Sequence, residues 1–270
     1  MEGSGANVLG VVAHEFLHLL DLPDLYNARG SSGRGDAYRW DVMARGLWNG
    51  NPAGSRPAHP SSWSKIKAGW IGSNQVKKLS SFESSTEYIE PIESQERGLK
   101  AIHAPISENE YYLIELRSRF YDPYLPSDGI LILRIDKGTN REGGIITIMS
   151  PQSNFDNATL RLGEYYSDKI SNILVGVRFT DNKTHGVDII RGKYRTIQIN
   201  LSTLDASFLI DGKPCSVPAS RTAKVFVPPG SHNASIPKWM VKNQIRAIFQ
   251  SWSDGVTTNE RRMEVVNNVT

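Results

Sequence analysis

Apolar residues crowd the start of the chain. Val8, Leu9, Val11, Val12, Phe16, Leu17, Leu19 and Leu20 make residues 4–21 apolar nearly all round, the pattern of a buried helix. Pro23 cannot continue a helix and pushes Leu22 toward extended geometry, so the helix should stop near Asp21. Residues 27–37, rich in Gly and Ser, read as a flexible loop. A short helix is expected over Ser62–Ala68, with Ser61 or Ser62 as cap and Gly69 as stop.

Beyond residue 76 the period becomes two. Tyr112, Ile114 and Leu116 alternate with Tyr111, Leu113 and Glu115, and Ile130–Ile135 is a second apolar run. The loop between them, Tyr121–Gly129, reads as a strand connection, with a calcium or substrate contact as the other reading. From about Lys193 the strands are short and regular. Their turns are marked by Asp211-Gly212, Pro228-Pro229-Gly230 and Ser253-Asp254-Gly255, as in a small sandwich. Trp239, Phe249 and Trp252 are expected in its core, and the run Gln244–Gly255 loosely resembles β modules of secreted archaeal proteins. The pattern as a whole is α+β, divided into residues 1–78, 79–192 and 193–270.

Composition narrows the function. A chain of 270 residues buries a full core. The formal net charge of +3, with no long Lys/Arg run, argues against nucleic acid as a partner. No run of about 18 apolar residues is present, so no membrane span is expected. The single cysteine, Cys215, excludes an internal disulfide and reads as an ordinary strand residue. The oligomeric state is not legible.

Against this background the polar residues of the first helix stand out: His14-Glu15-Phe16-Leu17-His18. Residues four apart share a helix face with Cβ atoms roughly 5–6 Å apart, which suits two imidazoles on one zinc ion. Glu15 is placed to act as general base toward a metal-activated water. Two imidazoles and a carboxylate in an apolar helix are costly unless paired or bound to metal. Asp24, six residues beyond His18, is spaced to return to the same metal.

His14–Tyr26 followed by Trp40-Asp41-Val42-Met43 resembles the M6 peptidases, the immune inhibitor A family of secreted zincins. Pro60–Lys65, Gly69-Trp70-Ile71, Glu110–Arg117, Tyr124-Leu125-Pro126 and Gly129–Ile132 extend the likeness to about residues 7–136, less specifically than the box. The resemblance implies the C-terminal part of a metzincin-like catalytic domain followed by mainly β, sandwich-like domains. It implies His14, His18 and Asp24 as zinc ligands, Glu15 as catalytic base and Met43 as an apolar floor under the metal. The family has glycine where this chain has Asp21, so Asp21 must adopt the left-handed turn. It is the competing candidate for third ligand, or a hydrogen-bond partner of a ligand histidine. Tyr26 and Tyr38 are candidates to steady an oxyanion.

The expected activity is zinc-dependent endopeptidase action on protein or peptide substrates, with zinc as cofactor and calcium as an additional structural ion. Two alternatives stand beside it: an inactive remnant whose β modules bind extracellular partners, and a zinc hydrolase acting on something other than peptides. Retention of His14, Glu15, His18 and Asp24 together counts against the first. Sequons at Asn157, Asn182, Asn200, Asn233 and Asn268 hint at a glycosylated, extracellular or cell-surface protein. The run Val8–Ala13 lacks a basic leader and is not a signal peptide. The box stands close to Met1, so an N-terminally truncated member of the family is expected, whose helix girdle of Leu9, Val12, Phe16 and Leu19 lacks its usual sheet cover. On that expectation residues 1–270 alone would be poorly soluble and poorly active, and an upstream segment would restore both.

Overall fold

The computed structural model describes residues 7–27, 36–138, 145–151, 154–202, 207–242 and 245–267. Most of the predicted loop 27–37 and the sequon at Asn268 fall outside them. The described chain is mostly β, and its α-helices are confined to α1 (Leu9–His18) and α2 (Ser62–Lys67). Two compact units are present: residues 1–82 with 89–160, and residues 83–88 with 161–270. The segment 79–192 contributes to both.

In the first unit, α1 is shorter than the apolar pattern predicts. After His18 the chain turns through Leu19–Asp21, where Asp21 N–H donates to His18 O at 3.0 Å and Leu22 N–H to Leu17 O at 3.4 Å. This pair of bonds is a Schellman ending, with Asp21 at φ 59° in the left-handed place usually held by glycine. At the other end, a Cβ on Gly10 would stand 1.8 Å from Leu47 O, so the close seat of α1 on the 44–54 segment requires glycine there.

The expectation that α1 is buried nearly all round is overturned. Gly10, His14 and Leu17 form its buried face. Val8, Leu9, Val12, Phe16 and Leu19 are exposed, by 72, 51, 59, 61 and 78%. A 10-residue helix docked along one stripe covers only that stripe, and no described element packs on the rest. The open girdle is the one anticipated from the sequence.

Helix α2 keeps its predicted place. Ser61 Oγ accepts from Ser64 N–H as the cap, and Gly69 ends the helix at φ 75°. Beside it, Val76–Lys78, Ala101–Pro105, Glu110–Arg117, Gly129–Asp136 and Ile146–Met149 form one sheet in chain order. Only the first pairing is parallel. The alternation in Glu110–Arg117 does not leave a wet face: from Tyr112 to Arg117 every residue is buried. Leu113, with Leu131, Leu133 and Ile135, packs in one core with Trp40, Val42, Met43 and Leu17. Glu115 and Arg117 share Leu113's side of the strand and enter the protein as charges.

The second unit has a four-stranded sheet in the order Ser85–Ile89, His185–Arg191, Ile173–Thr180, Tyr165–Asp168. Beyond residue 193, Arg195–Asn200 pairs antiparallel with Thr222–Val227. A second four-stranded sheet orders Lys213–Cys215, Phe208–Ile210, Gly230–Ser235 and Glu260–Val265. One core joins them, with Ile197, Val225, Phe208, Ile210, Cys215 and Val265. Asp211-Gly212 closes its hairpin with φ 53° and 73°, the double positive φ of a two-residue turn that matches strand twist. Phe249 and Trp252 pack against this core as expected. Trp239 does not: it is 61% exposed, because it opens a two-stranded ribbon with Ile245–Ile248 rather than lying in either larger sheet.

Candidate metal centre

The pitch of α1 sets His14 and His18 one turn apart, with ring centroids 4.8 Å apart and nearly perpendicular planes. Each ring is fixed at its Nδ1 by a backbone carbonyl. His14 Nδ1 lies 2.9 Å from Val42 O, and His18 Nδ1 lies 2.8 Å from Leu22 O. A carbonyl only accepts, so each Nδ1 carries a proton, and in a neutral imidazole so held Nε2 is the atom able to bind a metal.

Both Nε2 atoms converge on Asp24. Its Oδ1 is 3.0 Å from His14 Nε2 and 3.4 Å from His18 Nε2. The Schellman turn and Pro23 bring Asp24 back, and Leu25 N–H donates to Met43 O at 2.8 Å to hold the returning strand. Asp24 Oδ1 is buried and accepts no hydrogen bond among the described residues. Three such atoms gathered in one place are unfavourable unless a proton or a metal cation sits among them. Ligand atoms about 2.0–2.2 Å from one tetrahedral zinc stand roughly 3.3 Å apart, close to both separations here. Among the described residues this is the group of three such side chains able to share a metal ion. Zinc fits the donor set. The loop Tyr121–Gly129 contributes no such group among the described residues.

The other predicted residues fall as follows. Glu15 is exposed on the helix. Met43 is fully buried within the core under the site segment. Asp21 is turned away: its carboxylate is 96% exposed and pairs with Lys67 Nζ at 2.5 Å, whose hydrogen bond and positive charge lower its pKa. Tyr26 lies beside the site, its ring centroid 6.4 Å from that of His14. Tyr38 is stacked on Phe155 at 4.3 Å with the Arg45 guanidinium over its ring.

The supports behind the site were not singled out in the sequence. Arg117 is fully buried, donates to Trp40 O at 2.6 Å and pairs with Glu93 and Glu115 at 2.6 and 3.2 Å. Glu115 Oε2 in turn accepts the Ser62 N–H at the start of α2, at 2.7 Å. Lys65, next to this network, donates to Ile92 O at 2.6 Å, and burial pulls its pKa down to about 8. Burial pushes the Glu93 carboxyl up. The signal was present in the sequence, as an acid and a base two apart in an apolar strand, Glu115 and Arg117.

Residues 4–74 match the family model of the immune inhibitor A peptidase M6 catalytic domain. Two Vibrio cholerae proteins called pre-pro-metalloprotease PrtV, from strains M66-2 and ATCC 39315 / El Tor Inaba N16961, are each 36% identical over 73 residues. That stretch is 25% of this chain and 8% of each relative. The first quarter of the chain thus resembles a metallopeptidase catalytic domain. The family match ends at residue 74, so the likeness of residues 244–255 to archaeal β modules rests on sequence pattern alone.

Proposed function

We propose that this chain carries the metal-binding half of a zinc-dependent endopeptidase site, with His14, His18 and Asp24 as ligands and Glu15 as general base. The observation that carries the reading is the convergence of two histidine Nε2 atoms on one unsatisfied, buried carboxylate oxygen. The M6 match over the same residues supports it. Bound zinc supplies Lewis acidity, polarising a scissile carbonyl and acidifying a water near it.

The chain's own residues do the rest. Val42 O and Leu22 O each hold an imidazole through its Nδ1–H, which turns Nε2 toward the metal position. Glu15, exposed beside them, accepts the proton of the attacking water and returns it to the leaving amine. Tyr26, its ring beside His14, would steady the developing oxyanion with a hydrogen bond from its hydroxyl, which keeps its proton. Residues 1–78 provide the chemistry in this reading, the sheet strands between Ala101 and Met149 of the same unit back it, and 193–270 form an accessory module.

Protein or peptide substrates and an extracellular setting belong to the same proposal. Asn182, Asn200 and Asn233 are exposed and open to glycosylation, and Asn157 is half-buried. Among the described residues no helix is long and apolar enough to cross a membrane. Zinc content by mass spectrometry, with cleavage of denatured casein, tests the reading. One zinc per chain and chelator-sensitive cleavage are expected; absence of zinc after incubation with the metal ends it, and zinc without cleavage of any protein leaves a different hydrolase.

A further inference from the structure

We propose that Asp41 is the positioning residue for His14, acting through the single peptide unit that joins Val42 to Met43. The inference rests on the metal-site reading above. The N–H of that peptide, on Met43, donates to Asp41 Oδ1 at 2.8 Å. Its C=O, on Val42, faces His14 Nδ1 at 2.9 Å. A trans peptide is planar, with N–H and C=O pointing in opposite directions. Fixing the N–H therefore aims the carbonyl. A carboxylate on the N–H also polarises the amide and makes its oxygen a stronger acceptor for the imidazole proton.

Asp41 is itself immobilised. It is fully buried, and Oδ2 accepts from Ser61 N–H and Ser64 Oγ–H, both at 2.8 Å. Its carbonyl accepts from Ala44 N–H and Gly46 N–H at 3.0 and 3.1 Å, closing the turn over Asp41–Ala44. The N-terminal turn of α2 thus holds Asp41, Asp41 holds the peptide, and the peptide holds the ring. His18 provides an internal contrast. Its carbonyl partner, Leu22 O, belongs to the peptide with Pro23, which has no N–H for a carboxylate to grip.

The test is D41N, which keeps the size of the side chain but replaces the Oδ2 acceptor facing Ser61 and Ser64 with an amide donor. Two measurements are made on the full chain. Nitrogen chemical shifts of the metal-free protein report each imidazole's tautomer, and chelator competition gives the zinc dissociation constant. We expect His14 to lose its pure Nδ1–H signature while His18 keeps its own, and zinc to bind about 10–100-fold more weakly. A merely structural role would disturb both histidines together. An unchanged His14 signature, or equal changes at both rings, overturns the proposal. If D41N does not fold, S64A removes one bond to the same carboxylate, and a smaller His14-selective change is expected; none would again overturn it. If wild-type chain binds no zinc, the metal reading falls, while the tautomer comparison still decides the role of Asp41.

Discussion

The carboxylate of Asp21 is held by Lys67 Nζ at 2.5 Å, 46 residues further along the chain, while Asp24 Oδ1 stands 3.0 Å from His14 Nε2. Two aspartates three residues apart are thereby separated into different environments. Asp21, at positive φ, turns outward to solvent and a cation; Asp24, past the proline, returns to the histidines. Asp24→Ala should therefore abolish measurable zinc binding, and Asp21→Ala should change the dissociation constant by less than about 10-fold, below the usual cost of losing a direct partner of a ligand. Chelator competition on both variants reads this. A metal-free Asp21→Ala with a metal-loaded Asp24→Ala would exchange their roles.

Glu15 is exposed on α1 and contributes little to packing. Glu15→Gln should bind zinc and unfold like the wild type but lose more than about 100-fold in turnover, the usual scale for removing a general base. Casein cleavage, zinc content and thermal unfolding together read it. Turnover retained in this variant would remove Glu15 from the mechanism.

Lys65 gives a stability prediction with a definite sign. Burial lowers its folded pKa from 10.5 to about 8. Between those values the unfolded chain holds a proton that the folded chain has released, so this residue's contribution to stability rises with pH. The slope is at most about 1.4 kcal/mol per pH unit. Below pH 8 the charged ammonium is buried and the penalty is constant. Urea unfolding of wild type and Lys65→Met from pH 7.5 to 10.5 should show the difference between them change across that interval. A pH-independent difference would mean that Lys65 titrates at its ordinary value.

The open face of α1 predicts association. Phe16 and Leu19 are 61 and 78% exposed and adjoin Val12 and Val8 on the same stretch. Replacing both with Ser should change unfolding stability by no more than about 0.5 kcal/mol per site, the norm for surface positions. The variant should also raise the concentration at which light scattering detects association, since a contiguous apolar patch drives it. A loss of several kcal/mol would show that these side chains are covered in solution.

Cys215 is fully buried, and burial pushes its thiol up to about 12. The reactive species is the thiolate, so labelling by iodoacetamide at pH 8 should be negligible in the folded chain and fast in urea. Rapid labelling of native protein would show that the strand Lys213–Cys215 opens readily.

The local half of the candidate site was legible in the residues themselves. Helical pitch alone sets His14 and His18 on one face, and Pro23 with a left-handed Asp21 turns the chain within six residues of His18. The Ser61 cap, the Gly69 stop and the Asp211-Gly212 hairpin were equally local, because each depends on backbone preferences of adjacent residues. The β character of the rest followed from its period of two.

Tertiary structure decided the remainder. Which oxygen meets His14 Nδ1 depends on Val42, 28 residues away, and on the Asp41 carboxylate reaching Ser61 and Ser64. Arg117 finds Trp40 O across 77 residues. A side-chain pattern states that a position is polar or apolar, but the partner of a buried polar group depends on the path of the whole chain. The same holds for α1, where the sequence supplied apolar residues on every side and only packing determined that Gly10, His14 and Leu17 face inward. Short-range geometry is written into neighbouring dihedral preferences, whereas burial and long-range hydrogen bonds exist only once distant segments are brought together.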